Sequence, residues 1–437
     1  MQPVALGHYR TKPLMQLRTR TCTQTPRPVI RCHITPAIQT CLAVLIAICI
    51  SAFWAQNLRA QIQRSKPEKR IFANNQTELD QAWVELRPGV TLVIGSGNYR
   101  GGIYLRQISG SAGSPVIIRA ANPHAPPIFS GNQTGLQLSG CHHIHLEHLV
   151  IEKSSSNGIN IDDGGTKSGS STDIHLDNIV VRDIGPHGNR DGIKLSGVRD
   201  FLVSNCTIER WGDAGSAIDM VGCQGGSING CDFFHGESIP ANGVQTKGGT
   251  SDVTIENCRF VRAGSRALNI GGSTGKPYFR PLGAKHEAKE IRVHDCTLIG
   301  SDASVAFVGV DGAEFAHNTI YLPTRWIFRI LQESTGDEMT PCRNVSIHHN
   351  LIVFQSDQIR SHINIGSGTA AETFQFENNH WYCKDRPTES RPQNLPSTES
   401  KGIYGQPIYF RNEERLDLQI TGTQVTHGAR QSSSQKK

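Results

Sequence analysis

The first 55 residues of this 437-residue chain contain no acidic side chain, none of its 12 cysteines forms a Cys-X-X-Cys pair, and almost no stretch shows helical periodicity. The missing Cys-X-X-Cys argues against a redox dithiol or a zinc knuckle. The missing helical period argues against helix bundles and alternating strand-helix folds. The chain carries a net charge of +6, and residues 1–55 already supply six Lys/Arg and no acid, which leaves 38 basic and 38 acidic side chains beyond them. That balance excludes nucleic acid as an expected partner, and attraction to an anion must come from local cations.

The acid-free start has an internal order. Six basic residues (Arg10, Lys12, Arg18, Arg20, Arg27, Arg31) precede CLAVLIAICISAFWA, residues 41–55, with small-residue exits near Ala55 and Ala60. Residues 1–55 therefore read as a basic leader plus a signal peptide or membrane anchor, with the basic side cytoplasmic. If uncleaved, a single-pass anchor over 38–55 ties the protein to the membrane. Either way the remainder is exported to the periplasm, cell envelope or extracellular space. Ile48 before Cys49 is too large for a lipid-attachment signal. Residues 56–70 form a polar linker.

What the chain does contain is repetition. In GLQLSG, GINIDD, GIKLSG, SAIDMVG, GVQTKGG and RALNIGG the glycines or their alanine equivalents fall at 135, 158, 192, 217, 243 and 267, spaced by 23, 34, 25, 26 and 24 residues. Strand-period units recurring at about this length mark a β-solenoid, with the spacing of 34 requiring an inserted loop. A second set, including HIHLEHLVIE, DIHLDNIVVRD, FLVSNCTIER and DVTIENCRFVR, alternates apolar and polar residues. Stacking that set predicts one inward column of Asn178, Cys206, Cys231, Cys258, Cys296, Asn318, Asn350 and Asn379. There amides bond along the ladder and thiols fill equivalent space. The cysteines are thus packing residues. TELDQAWVELRPGVTLVIGSGNYRGG reads as a helix with Thr77 as N-cap, a Pro-Gly turn and a first strand, the helix covering the open end of the stack. The expected domain is 71–383, all-β, a single parallel β-helix. A C-terminal cap region and disordered tail follow over 384–437.

LRPGVTLVIGSGNYRGG and SPVIIRAANP, followed by coils with an Asn/Cys ladder, resemble right-handed parallel β-helix proteins of the pectin-lyase-like superfamily. The start is most similar to the chondroitinase B and alginate lyase type of polysaccharide lyases. This resemblance implies an exported monomer that cleaves an acidic, uronate-bearing polysaccharide by β-elimination.

The outward residues of the first strand set give the candidate site. They form one column of Gln137, Asn160, Lys194, Asp219, Gln245 and Asn269, with Asn364 further on, and a second of Ser139, Asp162, Ser196, Val221 and Lys247. At about 4.8 Å per coil these columns make a continuous polar strip suited to a polyhydroxylated chain. Elimination requires neutralising a carboxylate and removing the adjacent proton. Lys247 is the expected base, and Lys194, about 10 Å away, supplies a cationic field that favours its neutral form. Arg266, always charged, is to meet the substrate carboxylate or steady the leaving oxygen. The resemblance implies the same Lys/Arg pair, and it places calcium-binding carboxylates just before the Lys, where Asn242 and Gln245 stand here. The nearest acids are Asp219 and Glu237. Asp162, Asp191 and Asp219 are the candidate calcium ligands by their hard oxygens. Tyr278 and Arg280, in the long loop 271–290, are expected to wall the strip, and Arg325 and Arg329 to extend it.

Two other functions fit parts of the pattern. A polygalacturonase-like hydrolase would use clustered aspartates such as Asp191 in NRDG, but SAIDM lacks the expected Asp pair. A non-catalytic glycan-binding or envelope protein needs only the strip. His142, His143, His145 and His148 invite a transition metal, but alternation sends His143 and His145 to one face and His148 into the ladder.

Overall fold

Alternating apolar residues with turns every few positions leave the backbone one economical solution, in which each short strand pairs in parallel with its counterpart one coil away. The computed structural model describes residues 69–430 except 167–169, 237–238, 337 and 422–426. The leader, most of the linker, Glu237 and the last seven residues lie outside the described residues. Among the described residues no helix is long and apolar enough to cross a membrane.

Three parallel sheets wrap one core. Two have twelve strands each, running from Lys69–Ala73 to Gln375–Glu377 and from Asn98–Arg100 to Ile403–Tyr404. The third has ten strands: β1 (Ile103–Arg106), β2 (Leu136–Ser139), β3 (Ile159–Asp162), β4 (Ile193–Ser196), β5 (Ser216–Val221), β6 (Asn242–Lys247), β7 (Arg266–Gly271), β8 (Ala303–Val308), β9 (Trp326–Leu331) and β10 (Ser361–Ile365). The coiled region thus runs from Lys69 to Tyr404, beyond the expected limits at both ends. After Tyr404 comes an antiparallel hairpin, Phe410–Asn412 with Asp417–Ile420. The long 158–192 repeat places its extra residues in the connections around 163–170 and 183–192.

The helix α1 (Gln76–Ala82) caps the stack, burying Leu79 and Ala82. Its N-cap is Asn75 and not Thr77. The Asn75 side chain accepts from the Glu78 N–H, and Glu78 reaches back to the Asn74 N–H, a reciprocal cap set two residues earlier than the sequence suggested.

The ladder is present with one correction. Register places Ile179, not Asn178, beside Cys206, whose sulfur accepts from the Ile179 N–H. Asn178 precedes it at φ +53°, in a left-handed position that Asn205 and Asn257 also occupy. His148 takes that same conformation, so it too stands outside the ladder. An Asn is common in both positions for different reasons, the left-handed turn and the inward amide, which is why one was mistaken for the other. Cys141, Cys206, Cys223, Cys231, Cys258, Cys296, Cys342 and Cys383 are free and buried. Burial pushes the Cys223 thiol up to about 12 and the Cys342 thiol to about 11, so they stay protonated packing groups.

At the amide end, Asn350 is fully buried; its NH2 donates to Phe315 O and Asn379 Oδ1, and its oxygen accepts from the Asn318 backbone and side chain. Asn350→Ala strands several of these groups at once. A loss of about 2–4 kcal/mol is expected in denaturant unfolding, since each buried polar group left unpaired costs about 1–3 kcal/mol.

The chain's far end is strapped down. Arg430 pairs with both oxygens of Asp295, and the Gly428 N–H donates to His349 O. Next to these contacts His427 packs 5.8 Å from His380 and 6.3 Å from His349, with His317 stacked on His349. Burial, then the charges of His380, His349 and His317, push His427 down to about 4. Burial likewise lowers His317, His349 and His380, while Glu377 and Asp295 work in the other direction and Lys401, Arg430 and His348 add to the lowering. A histidine whose folded pKa is depressed stabilises the fold above its unfolded value of about 6.5, and that stability is lost as pH falls towards 4. Arg430, against the effect of burial, holds Asp295 at about 2, so that pair persists across the same window. Limited proteolysis or hydrogen exchange is expected to show residues 427–430 loosening between pH 6.5 and 4 in the wild type and far less in His427→Gln.

Candidate functional site

Register lines up the outward residues as one column: Gln137, Asn160, Lys194, Asp219, Gln245, Asn269, Ala306, Arg329 and Asn364. Ser139, Asp162, Ser196, Val221 and Lys247 form the second. A third runs Ser216, Asn242, Arg266, Ala303 and Trp326. Among the described residues of these columns, Val221, Ala303, Ala306 and Trp326 interrupt the polar side chains.

Its centre is a chain of charges. Asp219 Oδ2 lies 2.5 Å from Lys194 Nζ, and Asp219 Oδ1 lies 3.0 Å from Lys247 Nζ. Lys194 also pairs with Asp191 at 3.1 Å, and the Asp191 carboxylate accepts from the Ser216 N–H. Lys247 sits beside Val221 in register, so its side chain must lean back two residues along β5 to reach Asp219. The Lys247 contact is ionic and off the hydrogen-bond angle, which leaves Asp219 Oδ1 buried without a hydrogen bond. Burial opposes ionisation of Asp219, yet Lys194 and Lys247 hold its carboxyl below the ordinary value. Burial and the Asp219 charge push Asp191 up, against Lys194. Lys194 itself, against the effect of burial, is raised by Asp219 and Asp191.

This arrangement corrects one expectation. The nearest charged partner of Lys247 is Asp219, an anion, where Lys194 had been expected to act on it directly. Lys194 contacts the other oxygen of the same carboxylate.

Arg266 starts at the other end of its strand, paired with Asn242 in register, five residues before the level of Lys247. Its guanidinium turns forward along β7 and donates to Asn269 Oδ1 at 2.9 Å and to Glu333 Oε1 at 2.7 Å. Gln245 lies between the two cations. Its oxygen accepts from Ser216 Oγ at 3.2 Å, and Asn242 Nδ2 approaches the same oxygen at 3.5 Å. Arg329 donates to Asn364 and stacks with Arg325 on Trp326, at 4.3 and 4.2 Å from the ring centre. Burial and then repulsion from Arg266 lower the Arg329 pKa, a sign of cations held close together.

The remaining expected residues fall elsewhere. Asn160 is tied to Gln137 and Asp162. Both Asp162 oxygens are used, by Ser139 and the Gly164 N–H on one and by Gln137 and Asn160 on the other. Asp162 stands two coils from Asp219 and one column over, so Asp162, Asp191 and Asp219 do not converge on one point. Ammonium groups occupy the space beside Asp191 and Asp219 that a calcium ion needs. The donor set therefore fits internal ion pairs and does not fit calcium. Tyr278 is exposed on the long loop, as expected of a rim residue. Arg280 is not on a rim: its Nε donates to the buried Asp163 at 2.6 Å, anchoring the loop across the coil turns. Gly222, at φ +62°, makes this possible, because a Cβ there would sit 2.2 Å from Arg280 Cβ.

Sequence reasoning missed two residues. Glu333 is the counter-charge of Arg266. Glu287 is fully buried and accepts from the Gly248 and Thr274 N–H groups and from Thr274 and Ser334 hydroxyls, tying both long loops to the end of β6. Both stand in or beside loops with no period, so no repeat pointed to them.

A family model described as a right-handed β-helix region matches residues 134–321. The sequence matches no curated relative. Among solved structures, an alginate lyase from Paenibacillus sp. aligns at 19% identity and TM-score 0.46, over 69% of this chain and 99% of its own. A pectate lyase aligns at 13% identity and TM-score 0.48, over 71% and 80%. A lacto-N-biosidase from Eubacterium ramulus aligns at 11% identity and TM-score 0.43, over 73% and 63%. The family model and the three stacked parallel sheets give the fold as a right-handed parallel β-helix.

Proposed function

We propose that this right-handed parallel β-helix protein is an exported polysaccharide lyase, which lays an acidic, uronate-bearing glycan along the third sheet and cleaves it by β-elimination. The observation that carries the reading is vertical order. The Lys194, Lys247 and Arg266 side chains keep 26%, 18% and 18% of their surface, while Asp191 and Asp219 beneath them keep 2% and 1%. A substrate therefore meets the cations before the carboxylates. A hydrolase needs its two carboxyl groups at the sugar, and these two are committed to lysines below the surface, which favours elimination over hydrolysis.

From β4 to β9 the cations extend over five coil steps, about 24 Å. Arg266, Arg325 and Arg329 crowd together with Glu333 among them, and a substrate carboxylate relieves that repulsion while its acidity is increased by the same charges. Trp326, its ring taken by the Arg325 and Arg329 guanidiniums at 4.2 and 4.3 Å, holds those two cations at the strip's edge. Lys247, in its neutral form, takes the proton from the carbon beside the carboxylate; Lys194 shares the Asp219 carboxylate on its other oxygen. Buried Asn269 and Gln245 brace the strip between the two cations, Asn269 accepting from Arg266 and Gln245 from Ser216. As the C–O bond breaks and the C=C bond forms, Arg266 hydrogen-bonds the leaving oxygen, which takes its proton from solvent.

Binding tests the surface half of this reading. In affinity electrophoresis, uronate polymers are expected to retard the protein, neutral glucans are not, and salt is to weaken the effect. The Arg266→Ala/Arg329→Ala double variant is expected to lose at least tenfold in affinity, each charge-assisted contact contributing about 1.5–3 kcal/mol. Equal retardation by neutral polymers would remove the cationic strip from the account.

A further inference from the structure

Away from the strip, on the outer face of the first twelve-stranded sheet, two successive coils bring histidines into register: His145 stands directly beside His175. Their rings stack at 4.1 Å with an interplanar angle of 8°. Asp173, two residues before His175, has φ +55°, which breaks the strand's alternation and turns its carboxylate towards the pair. One Asp173 oxygen lies 3.0 Å from His175 Nε2; the other lies 2.6 Å from His143 Nδ1. Donor atoms of His145, Asp173 and His175 all lie within 4.8 Å of one another. His145 Nε2 is buried and has no hydrogen-bond partner, an unusual position for a polar atom.

We propose that His145, Asp173 and His175 form a zinc site that clips these two coils together. Two imidazoles and one carboxylate are the ligand types zinc prefers, and nitrogen donors argue against calcium or magnesium. The carboxylate spacing of 3.0 Å from His175 already suits two ligands of one ion. With bonds of about 2.1 Å, a tetrahedral ion holds its donors about 3.4 Å apart, so binding turns the parallel rings out of their stack to bring donors spread within 4.8 Å onto one ion. His143, on the free oxygen of Asp173, acts as the outer partner that fixes the carboxylate's orientation. The fourth position is left to solvent. His142 and His148 stand apart from the set: His142 Nδ1 pairs with Thr172, and His148 lies in a turn. The ion gives the orphaned His145 nitrogen a partner.

Titration of the chelator-stripped full-length protein with Co²⁺, as a visible-light probe for the zinc geometry, tests this directly. One equivalent is expected to develop tetrahedral visible bands that Zn²⁺ then bleaches. His175→Ala and Asp173→Asn are expected to weaken binding at least tenfold, while His349→Ala, in the other histidine cluster, leaves it unchanged. Zn²⁺ is also expected to raise the melting temperature of the wild type and not of Asp173→Asn, which keeps the side-chain shape and so guards against a folding failure in the alanine variant. No saturable band, or a band that survives both substitutions, overturns the proposal.

Discussion

Lys247→Ala is expected to reduce turnover on a uronate polymer by about 10²–10⁴-fold, the usual range for loss of a positioned proton-transfer group. The loss should fall on kcat more than on KM, because the remaining cations of the strip still hold the polymer. Lys247→Arg separates the two contributions that a lysine can make. The guanidinium keeps the positive charge and can still reach Asp219, but it cannot give up a proton at working pH. It is therefore expected to bind substrate nearly as the wild type does and to remain as inactive as the alanine variant. Restoration of turnover by arginine would assign Lys247 a purely electrostatic role.

The second large effect is expected at Asp219. It stands 1% exposed between two lysines, and removing one partner of a buried charge set typically costs about 3–5 kcal/mol. Because Lys194 and Lys247 keep some access to water, Asp219→Asn is expected near the lower end, about 3 kcal/mol, read from the denaturation midpoint. Its folded pKa is lowered, so the carboxylate's contribution is present above its unfolded value of about 3.9 and is lost as pH falls below it. The wild type and Asp219→Asn should therefore converge in stability in acid. Activity is expected to drop as well, since Lys247 loses the contact that draws it back over β5. A variant with full stability at neutral pH would show that the charge chain does not hold the site together.

These two residues also show how far the sequence could be read. The glycine-marked repeat fixed which residues share a column, because the parallel register leaves no freedom between coils; Lys194, Asp219, Gln245 and Asn269 fall where the repeat put them. Reach along a strand is not fixed by register. Lys247 leans backward to Asp219 and Arg266 forward to Asn269, directions the repeat does not encode. Asn178 failed for a related reason, since an amide suits both the left-handed turn and the ladder beside it. Glu287 and Glu333 were illegible because their partners are brought in by loops without periodicity, and Arg280 looked like a rim residue until Gly197 and Gly222 were seen to make room for it over Asp163.

The central claim is that the cations above buried Asp191 and Asp219 serve elimination on an acidic glycan. The most direct measurement is ultraviolet absorbance of new unsaturated uronate ends while the purified protein acts on uronate polymers. The account predicts that absorbance rises in step with new reducing ends and stays flat for Lys247→Ala. Reducing ends appearing without that absorbance, or no depolymerisation of any uronate polymer, contradicts it.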